Sequence, residues 1–245
     1  MNWIEDLTKV PYIIKKDVKT YYFKPPNISW GILFPAALVL AFSIRNPSGI
    51  RDMVPGLVGM SVLFGTTSMC AIVLTFEKRI GSLERLLLAP ISLEGVILGK
   101  VLGGTVFGMI NAGVMVLFSI IFLNTVVADP LSLIAVLLLA AFEFSAFGAL
   151  IASSVKEVFE AQTLSNYFRF PMIFLCGVFV SIHSLPSLIQ PISYLLPLTY
   201  IVDVIRYCLI GQYEILSPAL AVIISFSYSL CFFALSVRVL ARRSQ

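Results

Sequence analysis

The feature that most constrains this chain is a series of apolar runs, each close to the length of a membrane-spanning helix. A hydrocarbon core of ~30 Å requires about 20 helical residues. Hydrophobic residues make up 59% of the 245 residues and charged residues only 12%, whereas a soluble domain carries roughly 25% charge. The sequence therefore predicts an all-α membrane protein with six transmembrane helices, at residues 27–44, 55–76, 96–123, 131–152, 164–182 and 217–237.

The segment 185–211 is also rich in apolar residues but differs from these runs. Proline removes a backbone donor and disfavours a continuous helix, and Asp203 and Arg206 add charge. We expect short outer helices that dip into the membrane without crossing it, which is tolerated where protein buries them. The prolines concerned are Pro186, Pro191 and Pro197.

The distribution of basic residues tests this topology. With the N-terminus inside, twelve basic residues fall on the cytoplasmic side: Lys9, Lys15, Lys16, Lys19, Lys24, Lys78, Arg79, Arg85, Lys156, Arg238, Arg242 and Arg243. Three fall outside: Arg45, Arg51 and Arg206. Because Lys and Arg are enriched in cytoplasmic loops, we predict a multi-pass protein of the cell membrane with both termini in the cytoplasm. A seventh span would reduce the asymmetry.

The N-terminal stretch, residues 1–26, carries a regular apolar pattern. Apolar residues recur every three or four positions, while most lysines occupy other positions around the helix, as in a helix lying in the membrane interface. A solvated charged leader is the alternative. The apolar stripe consists of Trp3, Leu7, Val10, Ile14, Val18 and Tyr21. The predicted organisation is thus an interfacial amphipathic helix (1–26), a six-span domain (27–237) and a cytoplasmic basic tail (238–245).

The first cytoplasmic loop, residues 77–95, contains the signals of a short helix. Gly81 and Ser82 can end the preceding span, with Ser82 as the N-cap of a new helix and Glu84 near its positive end. Pro90 then stops the helix. Its apolar edge is Leu83, Leu86 and Leu87. Such a helix is suited to docking on a soluble partner, although an interface-lying linker is an equal alternative on physical grounds.

Two motifs in the chain resemble a known family. The run Glu77-x-x-x-Gly81-Ser82-Leu83-Glu84-x-Leu86-Leu87-x-x-Pro90, followed by Gly99-Lys100, resembles the signature loop of type-2 ABC exporter permeases. That family includes drug-resistance, polysaccharide and nodulation-factor exporters. A second match is Pro197-Leu198-Thr199-Tyr200 with Asp203 and Arg206, where the family has a Pro-led outer helix. With the six-span layout, the resemblance covers essentially the whole chain.

The resemblance implies that the short helix transmits force from a separate ABC ATPase subunit. Glu77, Gly81, Glu84 and Pro90 would then build and orient the docking element. Arg79 and Arg85 are included only because they are charged and expected to be exposed. The permease is expected to work as a homodimer or with a similar permease, in contact with membrane lipid.

The chain itself is predicted not to be an enzyme and to bind no cofactor, with ATP and magnesium on the partner ATPase. The stretch from Gly95 to Lys100 has three residues between its glycine and Gly-Lys, where a P-loop needs about four. A single histidine and four scattered cysteines indicate no metal site. The basic residues flank apolar runs and form no stripe for nucleic acid.

Three charged residues fall within predicted spans: Glu143, Arg169 and Lys100. An unpaired charge at the bilayer centre costs at least ~2.5 kcal/mol, so Glu143 should be paired, protonated or facing water, and we predict a pair with Arg169 or Lys100 within one subunit. The alternative is a role at the pathway or a dimer interface. The pairs Gly99/Gly103 and Gly104/Gly108 allow close helix packing, either within one subunit or at a dimer seam.

The predicted function is that of the permease subunit of an ATP-driven exporter, which moves a hydrophobic or amphipathic substrate outward. A secondary transporter or channel, not coupled to ATP, is the alternative, but it usually has more intramembrane charges or inverted repeats with broken helices. A membrane-embedded enzyme would need a nucleophile–base pair or a metal triad, and the only histidine, His183, lies outside the spans.

Overall fold

A computed structural model of the protein describes residues 3–22 and 50–243, together with isolated positions between residues 33 and 41. Within this part of the chain the regular structure is entirely helical. The first predicted span, residues 27–44, lies outside the described residues apart from those isolated positions.

The helices follow one another with short connections. In chain order they are α1 (Trp3–Asp17), which continues into a π-helical turn (Val18–Tyr22), α2 (Ile50–Arg79), α3 (Ser82–Leu87), α4 (Leu93–Leu123), α5 (Pro130–Ser154), α6 (Val158–Leu175), a 3-10 turn (Ile182–Ser184), α7 (Gln190–Tyr194), α8 (Pro197–Ile210) and α9 (Pro218–Arg243).

Four of the described helices, α2, α4, α5 and α9, are long and apolar enough to cross a membrane. The helix nearest to the predicted fifth span, α6, is not among them. It covers Val158–Leu175 rather than 164–182. The chain leaves the helix at Gly177, whose φ is 74°. This is the left-handed conformation that commonly follows a helix end. The six-span count therefore stays a prediction.

The centre of the bundle is α2, which packs against α4, α5, α6 and α8. Of its most apolar stretch 83% is buried, compared with 22% for α9, which packs mainly on α5 and α8. A displacement of α2 is therefore felt by most of the other helices, because close-packed interiors transmit strain.

The glycines of α4 face other helices of the same chain. A Cβ atom at Gly99 would lie 2.9 Å from Ile13 of α1, and one at Gly104 would lie 2.2 Å from Ser145 of α5. These distances are too short for any larger residue, so the stripe packs within one subunit, as the first of the two interpretations predicted.

The segment 185–211 contains two short helices, α7 and α8. Helix α8 has 14 residues, of which residues 197–205 are buried. At ~1.5 Å per residue it spans about 21 Å, less than the hydrocarbon core. At the other end, the predicted basic tail, 238–245, is not a separate segment, since α9 remains helical as far as Arg243. Basic side chains in the last turn are favoured by the helix dipole.

Candidate functional site

The N-terminal helix α1 lies against α4, and its buried face contains Asp6, Val10, Ile13 and Asp17. Their spacing places them on one side of a helix. The predicted apolar stripe shares Val10 with this face, but Leu7 is 54% exposed, so the stripe is not the packing face. The orientation of that stripe towards the membrane stays a prediction, and Asp6 and Asp17 each have a partner on a neighbouring element.

Two acids and two lysines meet where α1, α2 and α4 converge. We call Lys16, Asp17, Glu77 and Lys100 the ion cluster. Lys100 Nζ donates to Asp17 Oδ1 at 2.9 Å and also contacts Glu77 Oε2. Lys16 Nζ lies 2.6 Å from Glu77 Oε1. The side chains of Lys100, Asp17 and Glu77 are at most 1% exposed, whereas that of Lys16 is 38% exposed.

The charges of the ion cluster balance, but burial acts against each of them. Burial raises the pKa of Asp17, and the neighbouring Lys100 offsets only part of this effect. For Lys16 burial acts to lower the pKa, but the hydrogen bond to Glu77 and the nearby carboxylates outweigh it and raise the pKa. Removing Lys100 would leave the buried carboxylates of Asp17 and Glu77 with only Lys16, which is more costly than losing an exposed pair.

A second set of contacts joins α1 to the end of the first cytoplasmic loop. Asp6 Oδ1 accepts a hydrogen bond from the Ser92 amide at 3.2 Å, and Lys9 Nζ donates to the Pro90 carbonyl. Ser92 in turn caps α4, since its Oγ accepts from the Gly95 amide at 3.0 Å. Hydrogen bonds from Ser92 lower the pKa of Asp6, against a smaller opposing effect of burial. Ser92, at the end of the loop, therefore connects α1 to the start of α4.

The last three residues of α2 reach three different neighbours. Glu77 enters the ion cluster. Lys78 Nζ donates to the carbonyls of Ala152 and Val155, both at 2.8 Å. It thereby satisfies the C-terminal end of α5, as basic side chains often do. Arg79 pairs with Glu157 at 3.6 Å, next to the start of α6. The predicted cytoplasmic end of α2 is thus connected to α1, α4, α5 and α6.

The predicted docking helix is present as α3, six residues long. Its N-cap is Gly81, with φ 68°, and not Ser82 as the sequence suggested. Only a residue that tolerates the left-handed conformation allows the sharp turn after α2, and Ser82 becomes the first helical residue. The helix ends at Leu87, before Pro90, as predicted.

The two edges of α3 differ sharply in exposure. Leu83 is 3% exposed and packs into the bundle, whereas Leu88, just beyond the helix, is 87% exposed and Ile80 is 46% exposed. Glu84 and Arg85 lie on the exposed side, and neither takes part in a salt bridge among the described residues. The exposed edge therefore combines apolar and charged groups of both signs.

The intramembrane charges do not pair as predicted. Arg169, which is 0% exposed, donates to Ser68 Oγ and to Asn166 Oδ1, and its guanidinium lies 4.6 Å from the centre of the Phe64 ring. Lys100 is held in the ion cluster. The prediction that Glu143 pairs with either residue was wrong, because neutral groups on α2 and α6 satisfy Arg169, and Lys100 faces α1 and α2.

The predicted outer residues form a separate cluster around the connection from α8 to α9. Pro197 begins α8. The carboxylate of Asp203 accepts from the amides of Glu214, Ile215 and Leu216. Arg206 pairs with Glu214 and donates to the Gly177 carbonyl at 3.0 Å. Burial opposes the ionisation of Glu214, but hydrogen bonding from Ser181 and the charge of Arg206 lower its pKa.

Several residues of the inner site were not predicted from the sequence: Asp6, Lys9, Lys16, Asp17, Lys78 and Ser92. A signal existed for some of them. Lys100 lies near the cytoplasmic start of the third predicted span, where its charge requires an acidic partner. Asp17 and Glu77 lie on segments that are predicted to be on the same side of the membrane. The spacing of Ser92 and Gly95 before an apolar run is also that of an N-cap.

Comparison with known proteins identifies the family of this chain. Residues 8–210 match the ABC-2 type transporter family, a range that contains the ion cluster, α3 and α8. Proteins named inner membrane transport permease YadH, from Escherichia coli (strain K12), Escherichia coli O157:H7 and Shigella flexneri, are 29% identical over 164 residues. The match covers 67% of this chain and 64% of each relative, slightly less than two thirds of their length. The chain is therefore an integral membrane protein that belongs to the ABC-2 type transporter family.

Proposed function

We propose that this chain is the permease subunit of an ATP-driven exporter and moves a hydrophobic or amphipathic substrate outward across the cell membrane. The observation that carries the proposal is α3, a short helix whose Leu83 edge is buried while Glu84, Arg85 and Leu88 are exposed. An exposed edge of mixed apolar and charged groups fits a soluble protein partner, because polar and apolar contacts combine in such interfaces. That partner is a separate ABC ATPase subunit, which binds ATP and magnesium.

The connections of α3 support a role in transmitting movement. It is covalently continuous with α2 through Gly81 and with α4 through the loop that ends at Ser92. The ion cluster joins α1 to both of these helices. A push on α3 would therefore move α1, α2 and α4 together, and α2 would pass the displacement to α5, α6 and α8, on which it packs.

The sequence and the family support an orientation and an assembly. The excess of Lys and Arg around α1, α3 and the end of α9 favours a cytoplasmic position for these elements and for both termini, on the same side as the proposed ATPase. α1 lies near the membrane interface, with its lysines towards anionic headgroups. We propose a homodimer or a pair of related permeases, each carrying one docking helix for one of two ATPase subunits.

The proposal is tested with Leu88→Glu and a matched control, Leu188→Glu. Both side chains are 87% exposed, so neither change disturbs the packing, but they lie on opposite predicted sides of the membrane. Tagged permease purified from native membranes is expected to bring a P-loop ATPase with it. Leu88→Glu should reduce the recovered ATPase and substrate-stimulated ATP hydrolysis, whereas Leu188→Glu should leave both unchanged.

Glu84→Lys gives a second, electrostatic test of the same surface. It should also uncouple ATP hydrolysis from transport while the permease remains folded and inserted. Equal ATPase recovery with Leu88→Glu and Leu188→Glu would contradict docking at α3. Transport that continues when no P-loop ATPase accompanies the permease would favour the secondary transporter or channel instead.

A further inference from the structure

Glu143 occupies the middle of α5. It is 0% exposed, and neither of its carboxyl oxygens has a hydrogen-bond partner among the described residues. It lies thirteen residues after Pro130 and eleven before Ser154. At ~1.5 Å per residue this is about 20 Å from one end of the helix and about 16 Å from the other. The carboxyl is therefore near the centre of an apolar span.

The charged and titratable groups of the surrounding helices do not neutralise Glu143. The two cations that the sequence suggested as its partners, Arg169 and Lys100, are held by other groups. The phenol of Tyr228 on α9 interacts electrostatically with Glu143, but its hydroxyl donates to the Leu195 carbonyl at 2.9 Å. The helices packed against α5 carry further charged and titratable groups, which include Cys70, Glu77 and Lys78 on α2, Lys100 on α4, Arg169 on α6, Asp203, Tyr207 and Cys208 on α8, and Tyr228 and Cys231 on α9.

An ionised carboxylate in this position would be strongly disfavoured. A charge at the bilayer centre without a partner costs at least ~2.5 kcal/mol, and a buried acid responds by keeping its proton. Arg169 and Lys100 bind other groups, so neither cation compensates a charge on Glu143.

We infer that Glu143 is a proton-binding site inside the membrane, which holds its proton as a neutral carboxylic acid while α5 and α9 are packed together. The proton is released only when water or a cation reaches the carboxyl, and this requires the contact between α5 and α9 to open. This inference does not depend on the ATPase partner, because it concerns a helix contact away from α3.

The neighbouring structure provides a place where such an opening can begin. One helical turn and two turns outward from Glu143, Leu139 and Val136 line an apolar cavity of about 470 Å³ between α5, α8 and α9. Its volume is within the usual range of ligand pockets, roughly 300–1,000 Å³. A bound molecule that widens this cavity would separate α5 from α9 on the face of α5 that carries Glu143.

Infrared spectroscopy of the permease purified in a detergent that contains no carbonyl group tests the inference directly. A neutral carboxylic acid has a carbonyl stretching band that a carboxylate lacks. Ordinary Glu side chains, with a pKa of ~4.3, are ionised at about pH 7 and about pH 8, so a band seen at both values reports a protected acid. We expect this band in the wild-type protein, its loss in Glu143→Gln, and its retention in Glu94→Gln, a partly exposed acid at the start of α4.

Glu143→Asp provides the assignment if Glu143→Gln does not fold. It keeps the acid but shortens the side chain, so the band should shift in frequency and remain present. A wild-type spectrum without a neutral-acid band, or a band that neither Glu143 variant changes, would overturn the inference and show that Glu143 is ionised.

Discussion

The ion cluster makes a quantitative prediction about Lys100. Lys100→Met removes the cation but keeps a side chain of similar length and an apolar stem. Glu77 would keep Lys16 at 2.6 Å, but Asp17, whose side chain is 0% exposed, would be left with Lys16 at 3.4 Å as its remaining cation. Asp17 is therefore the group that the substitution leaves poorly compensated.

The expected loss of stability follows from this burial. Removing one partner of a buried ion pair destabilises a protein by roughly 3–5 kcal/mol. For a domain of about 150–250 residues, each kcal/mol lowers the melting temperature by ~2–4 °C, so Lys100→Met should lower it by about 6–20 °C. Arg79→Met is the matched control, since Arg79 is 61% exposed in its pair with Glu157 and exposed pairs contribute at most ~1 kcal/mol.

Adding Asp17→Asn to Lys100→Met distinguishes the loss of the Asp17–Lys100 ion pair from a nonspecific loss of stability. The double variant no longer buries an uncompensated carboxylate, so it should recover part of the lost stability, with an interaction energy of roughly 0.5–3 kcal/mol. The melting temperature of detergent-solubilised, monodisperse protein measures all four variants. Strict additivity of the two single changes, or a loss with Lys100→Met no greater than that with Arg79→Met, would refute the reasoning.

Three further predictions concern pH, the turn before α3 and the topology. Burial raises the pKa of Asp17 in the folded protein, so its contribution to stability is most favourable below the unfolded pKa of ~3.9 and is lost as the pH rises. The melting temperature of the wild type relative to that of Asp17→Asn should therefore fall as the pH is raised from about 4. A difference that does not change with pH would contradict this. Gly81 has a φ of 68°, so Gly81→Ala should lower the free energy of unfolding by ~1–2 kcal/mol. The control is Gly113→Ala, whose added Cβ would meet nothing within 4 Å, and which should be neutral or stabilising. Equal melting temperatures for the two variants would exclude strain at Gly81. In a background without native cysteines, Ser187→Cys should react with an impermeant thiol reagent added to intact cells and Ala89→Cys should not, and the opposite pattern would invert the topology.

The helical, membrane-embedded character of the chain was predictable because it depends on local properties. The length of an apolar run decides whether it can span a bilayer, and a proline decides where a helix must stop, whatever the rest of the fold does. For these reasons α3 could be placed correctly between Gly81 and Pro90, and the segment 185–211 could be recognised as interrupted by prolines.

The partners of the charged residues could not be predicted in the same way. The periodicity of α1 shows which residues share a face, but not which face another helix covers, and so the burial of Asp17 was not expected. Lys100 was named only as a candidate partner of Glu143, and its actual partner Asp17 lies 83 residues away in the chain.

Glu143 also shows that the sequence does not predict the partners of buried charges. The depth of the residue follows from its position in an apolar run, and the sequence alone therefore determined that its carboxyl had to be paired, protonated or in contact with water. Only the packing of the helices showed that the predicted pairs do not form, because it directs Arg169 and Lys100 towards other groups. A sequence specifies which charges are expensive to bury, and the relative positions of its helices decide how each of them is neutralised.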